Sequence, residues 1–129
     1  MLFRVDPARP TPLGDQIAAC VRRGIADGTV EAGERLPPAR ELAASLQVSI
    51  HTVLAGYQQL RDEELIELRR GRGAIVREGT RSERAAVLDL ARDLVAAARR
   101  IDLDDEELIT LVRAAAAGPA PASSASSAS

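Results

Sequence analysis

Two groups of residues in this chain have the types and spacing to hold a phosphate-bearing polymer. Ser49, Ile50, His51 and Thr52 stand in a row where a helical pattern begins, and Arg70, Gly71 and Arg72 form the tip of a tight turn. The hydroxyls of Ser49 and Thr52 can bond a phosphate or a base edge, His51 can donate to a phosphate or to guanine, and Ile50 offers methyl groups to a thymine. The amides and dipole of a helix start attract phosphate at the same place. At the turn, Gly71 lets the backbone bend sharply and approach a duplex, while Arg70 and Arg72 supply guanidinium groups for a phosphate or the minor groove. Arg40, in the preceding helical segment, is spaced to cross the phosphate backbone. Each also has a plainer use: Ser49 as an N-cap, His51 as a solvated helix residue, Arg40 as a partner of Glu41, and residues 70–72 as a solvated hairpin.

Other chemistry is poorly supplied. The single His51 has no serine or cysteine nucleophile near it, and the acidic run at 104–107 reads as a helix cap sooner than a metal site. One cysteine, Cys20, excludes an intrachain disulfide and reads as core filling, and no His/Cys cluster exists for zinc. No enzyme activity, cofactor or metal is therefore expected. With Phe3 and Tyr57 the only aromatics, the core must be made of Leu, Ile, Val and Ala, which favours helices over a large sheet. No apolar run approaches the roughly 20 residues that span a bilayer, so a cytoplasmic protein with no membrane partner is expected.

Net charge is −2, which taken alone argues mildly against nucleic acid. Its distribution matters more. Residues 1–79 hold 11 Arg against 11 acids, yet Arg69, Arg70, Arg72 and Arg77 cluster with no acid between 69 and 77. A neutral domain can thus carry one basic face.

These residues need elements to hold them. A short strand is expected at 2–5, then a proline-rich approach to a first helix that Thr11 caps and Gly28 ends, with Leu13, Ile17, Val21 and Ile25 at helical spacing. Residues 29–37 read as a turn. Pro38 opens a second helix through Leu42, Ala43 and Leu46; Gln47 and Val48 turn the chain; Ser49 caps a third helix with Val53, Tyr57 and Leu60 facing inward. Strands at 65–69 and 74–77 around the Gly-Arg-Gly turn complete a hairpin. The fold class predicted is mainly α: a winged helix-turn-helix domain of three helices plus a β-hairpin wing over 1–79, followed by a short two-helix dimerisation region over 80–117. Residues 118–129 have no large apolar side chain and are expected to be disordered. In the two-helix region Val87, Leu90, Leu94, Ala97 and Ile101 recur 3, 4, 3, 4 apart, and Leu108, Leu111 and Val112 continue an apolar face on the last helix. Such stripes call for a partner. Asp104 and Glu107 are spaced as a capping box for that last helix.

The segments PLGDQI, IADGTVEAGERLPPARELAASLQVSIHTV and YQQLRDEELIELRRGRGAIV, within residues 12–76, resemble the GntR family of bacterial transcription regulators. The resemblance implies a homodimer bound to a palindromic operator, with Arg40, Ser49, His51, Thr52, Arg70 and Gly71 at DNA-contact positions. The short stretch beyond the wing resembles the YtrA subfamily, whose helical tail dimerises. Against the family pattern, Ile50 and Leu54 stand where basic or polar residues are usual, Gly14 stands where an aromatic is usual and thins the packing of the first helix, and Glu64 replaces the glycine that ends the recognition helix. The expectation is a sequence-specific DNA-binding regulator, more a repressor than an activator. The alternative is a protein-interaction module whose DNA face has decayed. A small-molecule effector would have to bind between subunits or between the tail and the DNA-binding domain, since two short helices enclose no pocket of the usual size.

Overall fold

Residues 3–79 and 82–118 are described by the computed structural model. They form helices α1 (Leu13–Asp27), α2 (Ala39–Leu46) and α3 (Ile50–Asp62), strands β1 (Ile66–Arg69) and β2 (Gly73–Val76), and helices α4 (Ser82–Arg100) and α5 (Asp105–Ala117). The chain divides into two compact units, residues 1–92 and 93–129, with the division inside α4. The reason is Ala85, fully buried in the first unit's core with Leu88 packed against it.

In α1 the periodic Ile17, Val21 and Ile25 are buried as expected, and Gly28 ends the helix at φ 85°. Its start differs from expectation. Pro12 itself is the cap residue, which leaves Thr11 one position too far out for its hydroxyl to serve. No side chain caps α1, and Gln16 instead ties down the segment before it: its Oε1 accepts from the Asp6 amide at 2.7 Å, and its Nε2 donates to the carbonyls of Asp6 and Thr11 at 3.0 and 2.8 Å. Residues 3–5 form no strand; Phe3 and Val5 pack against the core, and half-buried Cys20 donates to the Arg4 carbonyl at 3.4 Å. Leu2 lies outside the described residues.

The expected turn between α1 and α2 holds more than a turn. The Gly33 and Leu36 amides donate to the carbonyls of Val76 and Ala74, the Val76 amide donates to Glu34, each at 2.8 Å, and Arg35 bridges Ile75. Residues 33–36 therefore lie along β2 as a third, short edge of the wing. Val30 and Leu36 are buried on either side of it.

The helix-turn-helix itself follows the sequence closely. Leu42 and Ala43 of α2 and Val53, Tyr57 and Leu60 of α3 are buried, and Gln47 turns the chain between the helices at φ 58°. Tyr57 Oη donates to the Pro37 carbonyl at 2.6 Å, which ties α3 to the start of α2. At the far end of α3, the Glu64 amide donates to Arg61 and the Leu65 amide to Leu60. This is the paired-amide stop that favours glycine, here built with Glu64 at φ 63°.

Beyond it, β1 and β2 pair antiparallel with Ile66 opposite Val76 and Arg69 opposite Gly73. The Arg72 amide donates to the Arg69 carbonyl at 3.0 Å, and Gly71, at φ 79°, fills the third place of that four-residue turn.

In the second unit, Ala98 and Leu108 are buried, and just past the end of α4 Asp102 turns the chain at φ 59°. The expected capping box is present: Glu107 N donates to Asp104 Oδ1 at 2.8 Å, and Asp104 N to Glu107 Oε1 at 3.1 Å. The Gly118 amide closes α5 on Ala115; the rest of the tail expected to be disordered lies outside the described residues.

Candidate nucleic-acid interface

Local chemistry fixes the start of α3. Ser49 is extended at φ −74°, and its Oγ accepts from the Thr52 amide at 3.1 Å and lies 2.9 Å from Thr52 Oγ1. Each hydroxyl of the pair retains capacity for an outside partner. Ser49 and His51 are exposed and Thr52 is half-buried. Ile50 differs from expectation: it is half-buried and packs against the core, so only part of it is left for a thymine methyl. Leu54, one turn further, is exposed.

Electrostatics single out the same end of the helix. The first turn of α3 holds no acid, whereas that of α5 holds Asp105, Glu106 and Glu107. The positive end of the α3 dipole is thus left for an external anion, while that of α5 is neutralised by its own side chains. Arg40 sits in the first turn of α2, where the dipole disfavours a cation, and it is exposed. Nothing in the stability of α2 calls for arginine there.

On the wing, four arginines fall into two classes. Arg69 pairs with Glu67 at 2.7 Å and Arg77 with Glu64 at 3.8 Å. Arg70 and Arg72 are exposed at the tip, with Gly71 between them, and neither makes an ion pair among the described residues. The same holds for Arg40 and for Arg35, which the sequence did not single out. Arg35 joins the wing only because residues 33–36 pair with β2, a pairing with no local signal. A Cβ at Gly71 or Gly73 would meet no atom within 4 Å, so these glycines answer to φ of 79° and 76° rather than to crowding. The tip is open.

The residues read as a dimer interface are also distributed unevenly. Val87, Leu90, Leu94, Ile101, Leu111 and Val112 are exposed large apolar side chains. Leu108 is not available in the same way, since it is buried within its own unit at 9% exposure.

A family model described as bacterial regulatory proteins, gntR family, matches residues 13–76, which run from the start of α1 to the end of β2. The HTH-type transcriptional regulator Rv1152 of Mycobacterium tuberculosis is 33% identical over 101 residues, covering 78% of this chain and 83% of that protein. The HTH-type transcriptional repressor YtrA of Bacillus subtilis is 32% identical over 81 residues, which span 63% of this chain and 62% of that protein's length. Among solved structures, YtrA from Sulfolobus acidocaldarius, a GntR-family transcription factor, superposes with a TM-score of 0.57 at 30% identity, covering 74% of this chain and 99% of that one. With its helix-turn-helix, arginine-tipped wing and short helical C-terminal region, the chain belongs to the GntR family of bacterial regulatory proteins, in its YtrA-like form.

Proposed function

We propose that this DNA-binding transcription regulator grips a two-fold symmetric operator as a homodimer and represses transcription by occupying it. One observation carries the reading: an acid-free start of α3, capped by Ser49, accompanied by arginines 40, 70 and 72, which are exposed and make no ion pair among the described residues. Neutral overall charge is compatible with this, because phosphate contacts depend on local rather than net charge. In the proposed complex α3 enters the major groove from Ser49 onward, with His51 and Thr52 at base edges, Arg40 on the phosphates and the tip at 70–72 alongside.

The homodimer is supported by apolar side chains that a solitary chain leaves wet. Val87, Leu90 and Ile101 are 64, 67 and 70% exposed, at the spacing of a helical seam, and Leu94, Leu111 and Val112 are also exposed. Leu108, buried at 9% exposure, is not part of that exposed set. Repression follows the Bacillus relative, whose name is that of a repressor. A cytoplasmic location, where the DNA is, belongs to the same proposal. The alternative, an interaction module docking through Ile50 and Leu54, loses ground because Ile50 is engaged with the core.

Selection from random duplex DNA tests the proposal. An inverted repeat should be enriched; no enriched sequence even at low salt would remove the regulator reading.

A further inference from the structure

Arg22 heads the largest fully buried side chains among the described residues, and it lies where α1, the end of α3 and the start of α4 meet. Its Nη1 donates to Gln59 Oε1 at 2.9 Å and to Glu63 Oε1 at 3.1 Å, at the end of α3. Its Nε stands 3.7 Å from Asp89 Oδ1 on α4, both atoms buried and neither hydrogen-bonded to a described residue. From α4, Arg92 Nε donates to Glu63 Oε2 at 2.9 Å, and from α1, Arg23 Nε donates to Asp89 Oδ2 at 3.2 Å. Gln59 Nε2 closes the group on Asp15 Oδ1 at 2.9 Å. The side chains of Arg22 and Glu63 are 2 and 8% exposed.

Charges this deep contribute little net stability, because the cost of taking them out of water offsets their attraction, and apolar residues of similar volume would hold the helices as well. What they add is direction. The apolar seat of α4 on the first unit is small: Ala85 is buried and Leu88 partly so, while Val87 and Leu90 face water. A helix on so small a seat can roll or slide at little cost. Asp89 and Arg92, one turn apart on α4, meet Arg22 and Glu63 in only one setting of that roll.

We infer that Arg22, with Glu63 and Asp89, is a positioning cluster that sets the direction in which α4 leaves the recognition helix, and thereby the operator half-site spacing a dimer accepts. The inference rests on the homodimeric reading above. Its geometric link is that the helix reading DNA and the helix carrying the apolar stripe share one ionic joint, so the distance between two recognition helices depends on that joint.

The test uses the full chain and a library in which inverted copies of the selected half-site are separated by spacers covering about one helical turn. The wild type should prefer one spacer over its neighbours by about tenfold or more. The Arg22→Met/Glu63→Leu/Asp89→Leu chain exchanges charge for apolar volume; it should bind an isolated half-site within about twofold of wild type, yet discriminate neighbouring spacers by no more than about threefold. If it keeps the sharp optimum, the inference is overturned and the regulator reading stands. If the wild type selects no inverted pair at all, the homodimeric reading fails and takes the inference with it. Should the triple variant not fold, Asp89→Asn leaves the Arg22–Glu63 pair in place; it should broaden the optimum, and Asp89→Glu should restore it. An Asp89→Asn chain as selective as wild type also overturns the inference.

Discussion

Gly14 on α1 and Gly56 on α3 face each other so closely that a Cβ on Gly56 would lie 2.7 Å from the Gly14 carbonyl oxygen. Against the sequence expectation, Gly14 does not thin the packing of α1. A Cβ there would meet the Thr52 carbonyl oxygen at 3.1 Å, so the glycine lets the two backbones approach and seats the recognition helix directly on α1. Gly56→Ala should destabilise the fold by about 1–3 kcal/mol, even though alanine favours an isolated helix by ~1 kcal/mol, because the nearest obstacle is backbone. Thermal unfolding checks it, and a raised midpoint would refute the close crossing.

Glu64 is the opposite case, a residue where glycine would fit better. At φ 63° it closes α3, and its two ion pairs, with Arg77 and Arg84 at 3.8 and 4.0 Å, lie among exposed side chains. Relief of the left-handed backbone should be worth about 1 kcal/mol and loss of the pairs a few tenths. Glu64→Gly is therefore expected to stabilise by about 0.5–1 kcal/mol in denaturant unfolding. An equal loss would mean that the surface charges matter more than the backbone.

Tyr57 is expected to report on alkaline stability. Burial pushes its phenol well above the ordinary value, and the hydroxyl must stay protonated to donate to Pro37. With the folded value raised, the contribution is fully present below the unfolded phenol value of about 10 and is lost as pH rises above it. Tyr57→Phe should cost about 1–2 kcal/mol near neutral pH and flatten the stability profile above pH ~10. A profile that declines there just as in the wild type would place the alkaline sensitivity elsewhere.

Leu94→Asp puts a charge in the apolar stripe of α4, where the side chain is exposed in the single chain. The fold should survive, while the dimer should dissociate and operator binding weaken at least tenfold, about 1.4 kcal/mol. Light scattering at tens of micromolar, roughly the range where a weak dimer assembles, checks this. A variant still dimeric would move the interface away from α4.

Much of the architecture is written in local chemistry and was therefore legible. The Ser49 cap, the Gly28 stop and the Asp104–Glu107 box each depend on residues within one turn of one another. The positive φ at Glu64 was legible only through the family resemblance, which puts a glycine at the end of the recognition helix. Tertiary partners decided what was not legible. Gln16 fastens the chain entering α1 by reaching Asp6, residues 33–36 become a wing edge only through β2, and Arg22 is buried only where α3 and α4 close over it. Ile50 and Leu108 lie on apparent binding faces yet turn inward, because a helix face read at 3.6-residue spacing does not say which of its borders the core will claim.

The most direct measurement is the salt dependence of binding to the selected operator, compared between wild type and an Arg40→Ala/Arg70→Ala chain of unchanged unfolding temperature. If α3 lodges in the duplex with the wing alongside, affinity should fall and the log–log slope should become shallower by about 0.9 for each phosphate that the variant no longer neutralises, taken over both subunits. Identical affinity and slope in the two chains would contradict the placement of DNA on this face.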